Sequence, residues 1–180
     1  MDLRQALIAC KDLQPITKRR LKVLGIITAA CKPLGLKPVL VGGCAVEFYT
    51  MGGYATFDID VVVANHSKFS QVMSELEFKK AGRHWIREDI DIVIEAPSSD
   101  LSNETAPQTQ VEIDGFTAYV LGIEDLIIDR LNAAVHWQSK EDEKWAGELL
   151  RATKQIDLNY LKTRAEATQT DALLSRILKA

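Results

Sequence analysis

Two aspartates, Asp58 and Asp60, stand one residue apart at the front of an apolar run, FDIDVVV. In a β-strand successive side chains alternate faces, so these carboxylates project together while Ile59 points the other way. At a separation of about 5 Å and an effective dielectric of about 20, they repel by ~3 kcal/mol. A cation between them removes that cost, and hard carboxylate oxygens suit Mg²⁺. A second pair, Asp89 and Asp91, opens a later apolar run, DIDIVIE. There Asp89, Asp91, Val93 and Glu95 alternate with Ile90, Ile92 and Ile94, which puts the acidic residues on one face. Aspartate is common enough in this chain that the pairs themselves say little. Their placement says more, because each lies beside aliphatic side chains of a sheet interior. A carboxylate there is costly unless paired or metal-bound. No lysine or arginine alternates with them, which leaves a metal as the counter-charge.

Carboxylates from two neighbouring strands can hold two Mg²⁺ ions. The glycine pair Gly42-Gly43 lies between the short apolar run Val39 to Val41 and a helix-length segment. Lacking Cβ atoms, it lets the backbone turn tightly, with the N-terminal amides of the next helix facing an anion such as a phosphate. Together these parts suit in-line attack on a nucleotide phosphate, one ion activating the attacking oxygen and the other steadying the triphosphate. Asp58 and Asp60 are expected to hold metal. Asp91 is expected to be the third carboxylate, as a ligand or as base on an acceptor hydroxyl, with Asp89 the alternative.

The elements that must position these residues follow from periodicity. Helices are expected from Asp2 to about Leu13 and, capped by Thr17, from Lys18 to Leu34, with Gly35 ending the second. A strand over 39–41, a helix over 44–51, a stop at Gly52-Gly53 and a strand over 57–63 come next. A helix is expected over 66–77, a short strand near His84 to Ile86, a strand from Asp89 to Glu95 and a polar loop over 97–110. Val111 to Ile113, Asp114-Gly115 and Phe116 to Val120 read as a hairpin. After Gly122 the pattern becomes helical, over 123–138, 140–153, 157–167 and 171–178. The expected organisation is an α/β unit over residues 1–120, whose N-terminal helices occupy 1–36, followed by a helical bundle over 121–180.

Composition excludes several classes. The net charge of -3 offers no global attraction to nucleic acid. Lys11, Lys18, Arg19, Arg20, Lys22, Lys32 and Lys37 cluster near the N-terminus, and read as a solvated helix face. Cys10, Cys31 and Cys44 have no metal or disulfide spacing, which fits a reducing cytoplasm. The longest apolar run is too short for a membrane span.

The order Val41-Gly42-Gly43, then Asp58-Ile59-Asp60, then Asp91 resembles the nucleotidyltransferase superfamily. That superfamily includes DNA polymerase beta, the minimal bacterial nucleotidyltransferases and the abortive-infection toxin-type enzymes. The segment LGIEDLIIDRLNAAVHWQSKEDEKWA and the helical tail are similar to bacterial relatives of the toxin-type group, so the resemblance runs from Val39 to the C-terminus. It implies a nucleotidyltransferase fold of mixed α/β (α+β) class, with a small mixed sheet flanked by helices and a C-terminal bundle. It also implies Mg²⁺-dependent transfer of a nucleoside monophosphate from a nucleoside triphosphate, ATP included, to a hydroxyl of RNA, protein or a small molecule. A toxin–antitoxin or phage-defence setting with a cognate partner is a further implication.

Gly42, Gly43, Thr56 and Arg130 are the nucleotide-binding residues this resemblance suggests. Thr56 fits the common Thr-x-Asp-x-Asp form. Many relatives carry arginine where this chain has Tyr54, and the toxin-type enzymes carry lysine where it has Arg130. These departures favour a rival reading, a catalytically silent nucleotide-binding or interaction module of the same fold. A structural subunit whose aspartates merely cap the sheet is the third reading. Arg130 reads equally as a salt-bridge partner of Glu124 or of another helix, and Lys140 and Lys144 as solvent-facing. Trp137 and Trp145 read as packing residues, and Glu47 as exposed or lining the site.

Overall fold

The computed structural model describes residues 2–101, 103, 105–153 and 155–179. Two helices lead, the short α1 (Leu3–Ile8) and the longer α2 (Ile16–Cys31), the latter closed by a 3-10 turn over Lys32–Leu34. Asp2 caps α1 by accepting from the Arg4 and Gln5 amides. Helix α2 starts two residues earlier than its periodicity predicts, with Pro15 rather than Thr17 at the N-cap. Proline pre-sets a compatible backbone there, and the Thr17 hydroxyl is spent elsewhere, donating to Glu47 Oε1 at 2.9 Å. Gly35 ends the segment in the left-handed conformation, φ 68°.

The sheet begins with β1 (Val39–Leu40) and, after α3 (Gly42–Tyr49), continues with β2 (Ile59–Val62). Helix α4 (His66–Glu75), capped by the Asn65 side chain, leads to the hairpin of β3 (Lys79–Ala81) and β4 (His84–Arg87). Then come β5 (Ile92–Ser98), β6 (Gln108–Ile113) and β7 (Phe116–Leu121). The strands form one seven-stranded mixed sheet in the order β3-β4-β5-β2-β1-β7-β6. Pairing is parallel between β1 and β7 and between β2 and β5, and antiparallel elsewhere. The β6–β7 hairpin turns at Asp114-Gly115, both at positive φ (48° and 82°), the type I′ geometry that an Asp-Gly pair favours. Helix α2 packs on β7, close enough that a Cβ on Gly25 would lie 2.9 Å from the Phe116 Cβ.

One expected strand is wrong at its start. Residues Glu88–Ile90 form a 3-10 turn, and Asp91 caps it in the left-handed conformation, φ 52°. Arg87, itself buried, grips Asp89 through Nε and Nη2 at 3.0 and 3.1 Å and also donates to the Leu76 carbonyl. That two-pronged pair bends the chain where isoleucine alternation suggested extension. Strand β5 therefore opens only at Ile92, and Asp89 and Asp91 are off it.

The C-terminal third forms α5 (Ile123–His136), α6 (Lys140–Ala152), α7 (Leu158–Ala167) and α8 (Asp171–Ile177). Helices α5 and α6 pack on one another, and both touch α3. The apolar core runs continuously from the sheet into these helices through Leu126, Leu131, Leu149 and Leu161. Cys10, Cys31 and Cys44 are buried and free. Among the described residues no helix is long and apolar enough to cross a membrane.

Candidate active site

Asp60 lies within β2 and Asp58 immediately before it, with Ile59 buried on the opposite side. Asp60 pairs in register with Glu95 of β5, and Glu95 pairs in turn with His84 of β4. Laterally paired residues share a face, so His84, Glu95 and Asp60 form one row across three strands, with Asp58 beside it. Ligand atoms of Asp58, His84 and Glu95 all lie within 4.8 Å of one another. Glu95 is 7% exposed. Its carboxylate meets His84 Nε2 at 3.2 Å and Arg83 Nε at 3.3 Å, the arginine side chain being largely in solvent.

The glycine pair meets this row directly. Gly42 opens α3 at φ 60°, and a Cβ there would overlap Asp60 Oδ2. A Cβ on Gly43 would fall 2.8 Å from the Tyr54 ring and 3.1 Å from Thr56 Oγ1. Only glycine permits this approach, so the N-terminus of α3 is brought against the carboxylates. Burial, and secondarily the charges of Asp58 and Glu95, push the Asp60 carboxyl up to about 6. A backbone hydrogen bond from Gly43 and the charge of Arg130 offset this only in part.

The approach to Asp58 is fixed from behind. Thr56 donates its hydroxyl to Asp58 Oδ1 at 3.1 Å, and Arg20 Nη2 holds the Thr56 carbonyl at 2.6 Å. Arg20 is itself paired with Glu47, which also accepts from Thr17. Glu47 is thus 4% exposed and structural, neither solvent-facing nor part of the site wall.

A family model described as "Nucleotidyltransferase of unknown function (DUF6036)" matches residues 28–178. The chain belongs to this nucleotidyltransferase family. The fold agrees with solved structures. An antigenic nucleotidyltransferase-like protein from Paracoccidioides brasiliensis superposes with a TM-score of 0.60 at 16% identity, covering 89% of this chain and 92% of the other. The antibiotic-resistance factor ANT(2'')-Ia in solution gives 0.50 at 15% identity over 98% and 97%. The same factor in complex with adenylyl-2''-tobramycin gives 0.51 at 17% identity over 81% and 94%. No curated protein sequence matches the chain.

The remaining residues of this nucleotidyltransferase separate into those near the row and those apart from it. Asp91 lies outside the ligand cluster, exposed in a cleft of about 420 Å³ that also involves Lys11, Gln14 and Arg19. Asp89, in the same cleft, is bound to Arg87. The alternation that pointed to Asp91 puts Glu95 on the same face, but the sequence carried no sign of the turn that decides between them. His84 was missed because a lone histidine has no ligand spacing in the chain.

Arg130, on α5, pairs with Asp129 Oδ2 at 2.6 Å and with Asp142 Oδ1 on α6 at 2.9 Å, a partner on another helix as expected rather than Glu124. Its Nε is buried and, among the described residues, has no hydrogen-bond partner. Tyr54 packs edge-on against Trp145, ring centroids 4.8 Å apart. Trp137, expected to pack, is 82% exposed. Lys140 and Lys144 face solvent. The N-terminal cations do not form a single solvated face: Arg20 is buried, Lys22 pairs with Asp114, and Lys37 lies over Tyr119.

Proposed function

We propose that the protein transfers a nucleoside monophosphate from a nucleoside triphosphate to a hydroxyl acceptor, using divalent cations held by Asp58, Asp60 and Glu95. The observation that carries this reading is the convergence of those carboxylates on the glycine-opened N-terminus of α3. Both belong to the apparatus of phosphoryl-group chemistry, one collecting cations and the other phosphate oxygens. The donor set fits Mg²⁺: oxygens dominate, and the cost of ionising Asp60 is relieved by a cation beside it. Asp58 lies beside the directly paired Asp60 and Glu95, and these three carboxylates would hold the ions. Bound there, the ions would neutralise the triphosphate and make the acceptor hydroxyl more acidic.

The chain supplies positioning. Thr56, held through Arg20 and Glu47, orients the Asp58 carboxylate. Gly42 and Gly43 admit the phosphates to the helix amides. The acceptor oxygen attacks the α-phosphorus in line, the bond to the β-phosphate oxygen breaks, and pyrophosphate leaves with both electrons. The hydroxyl proton passes to a carboxylate of the same group. Phe57, 93% exposed next to Asp58, offers an apolar surface to the acceptor. The adenylyl-2''-tobramycin bound to ANT(2'')-Ia makes a small polyhydroxylated acceptor a reasonable first choice beside RNA and protein.

A second reading, a silent nucleotide-binding module, draws on one observation. Arg130, where a phosphate contact is expected, is engaged by Asp129 and Asp142. In a labelling assay the protein is incubated with each α-labelled triphosphate, divalent cation, and RNA, lysate protein or aminoglycosides. Label should reach an acceptor with the wild type and not with Asp58→Ala/Asp60→Ala. Transfer unchanged in the double variant overturns the site. Cation-dependent nucleotide binding without transfer selects the silent module.

A further inference from the structure

The carboxylates of the row carry a neighbour that the proposed chemistry does not use. His84 lies directly opposite Glu95 in the antiparallel β4–β5 pair, so its ring stands over the same face as Asp60 and Asp58. A histidine is not needed there for packing, since its side chain is 32% exposed while Trp85, the next residue, faces the core. Nor does it complete a hydrogen-bonded ion pair. Its Nε2 is 3.2 Å from Glu95 Oε2, yet among the described residues no aligned hydrogen bond joins them or joins Arg83 to Glu95. Glu95 is therefore a carboxylate more than nine-tenths buried and aimed into the row, whose oxygens meet, among the described residues, only a partly exposed imidazole at 3.2 Å and a solvent-exposed guanidinium at 3.3 Å. Such a group is expensive to bury, and a firmer counter-charge than these two offsets that cost.

The spacing suits ligands of one ion better than partners of one another. Two adjacent ligands at about 2.1 Å from an octahedral ion stand about 3.0 Å apart, close to the separation of His84 Nε2 and Glu95 Oε2. Asp58 lies within the same 4.8 Å group. An imidazole nitrogen changes which ion is favoured. Carboxylate and water oxygens suit Mg²⁺, whereas imidazole adds affinity for first-row transition ions.

We propose that His84, Asp58 and Glu95 form a mixed nitrogen–oxygen site that takes a first-row transition-metal ion, with Mn²⁺ favoured over Mg²⁺, at one of the two ion positions. This rests on the functional reading above. It makes His84 a ligand rather than a counter-charge for Glu95, and it makes the choice of metal a property of strand β4. Because β4 is joined to β5 by a four-residue ladder ending near the core residue Trp85, the ring is held on a rigid element.

Mn²⁺ is the probe. The wild-type protein, His84→Gln and Asp58→Asn are each titrated with Mn²⁺ by electron paramagnetic resonance, with Mg²⁺ as competitor. Pulsed measurements on the bound ion read nitrogen coupling directly, and circular dichroism verifies the fold. The wild type should bind Mn²⁺ and show coupling to a histidine nitrogen. In His84→Gln that coupling should disappear and Mn²⁺ affinity should fall about tenfold or more, while Mg²⁺ affinity changes less than about threefold. Asp58→Asn should abolish binding. Mn²⁺ bound without nitrogen coupling, or coupling that survives His84→Gln, overturns the role of His84 and leaves the carboxylate site standing. A wild-type protein that binds no divalent ion, or binding indifferent to Asp58→Asn, overturns both.

Discussion

Buried carboxylates occur in two settings in this protein, and the chain treats them oppositely. Glu47 and Asp125 are 4% and 5% exposed. Glu47 is held by Arg20 and Thr17, and Asp125 by Arg164 at 3.2 Å and the Tyr160 hydroxyl. One fastens α3 to α2 and the loop before β2, the other α5 to α7. Glu95 is buried to a similar degree and Asp60 is substantially covered, but their surroundings are mainly each other and Asp58. The nearest cations are an exposed Arg83, a histidine, and an Arg130 already committed to two aspartates. Where the chain needs a strut it supplies the counter-charge. Where it leaves like charges together on a rigid sheet, the proposed function has a bound cation supply the counter-charge.

The largest effect expected from this contrast is on activity. Glu95→Gln removes a carboxylate from the row and should lower transfer about a thousandfold, or ~4 kcal/mol of transition-state stabilisation. Asp91→Ala, in the separate cleft, should leave it within about twofold. Steady-state rates on the same acceptor decide, and an equally steep loss at Asp91 would reverse the assignment.

Next comes the strut. Glu47→Ala strands the Arg20 guanidinium, which is 8% exposed, and should destabilise the fold by ~3–5 kcal/mol in urea unfolding. A loss below about 1 kcal/mol would place Glu47 with the unpaired carboxylates instead.

The smallest effect has the opposite sign. Asp60 holds its proton more tightly when folded, with its pKa raised from 3.8 to about 6. The folded chain therefore binds more protons than the unfolded one across that interval. Stability falls as pH rises through it, and the penalty is complete above it. After allowance for solvent screening of a partly accessible group, the penalty is ~1–2 kcal/mol. Asp60→Asn should therefore be more stable than wild type by that amount near pH 7.5 in metal-free urea unfolding. The advantage should shrink toward zero near pH 4. An Asp60→Asn protein less stable at both pH values would mean that the ionised carboxylate is held by the fold after all.

Much of the architecture was legible because local rules and tertiary packing agree. Val39 to Val63 reads as strand, glycine turn, helix, glycine stop and strand, and folds that way with ends shifted by a residue or two. Asp114-Gly115 forms the expected type I′ turn, and the helices after Gly122 all appear. The short β3 went unrecognised, since KKA carries no alternation and all its residues are exposed. The misplaced start of β5 has a definite cause. Isoleucine at 90, 92 and 94 satisfies strand alternation, and Ile90 is buried as a strand residue would be, yet Arg87 diverts the chain through Asp89.

The sequence by itself determined the order of elements, the shared face of Asp58 and Asp60, and the need for glycine at the turn. These depend on periodicity, propensity and the absence of a Cβ, all local properties. Only the tertiary structure decided that Glu95 rather than Asp91 stands beside Asp60, that His84 joins them, and that Glu47 is a strut. The first two depend on strand order and register, the third on the packing of α3 against α2. Residues 58, 84 and 95 meet because β2, β5 and β4 are neighbours in the sheet, and spacing along one chain holds no record of which strands will pair.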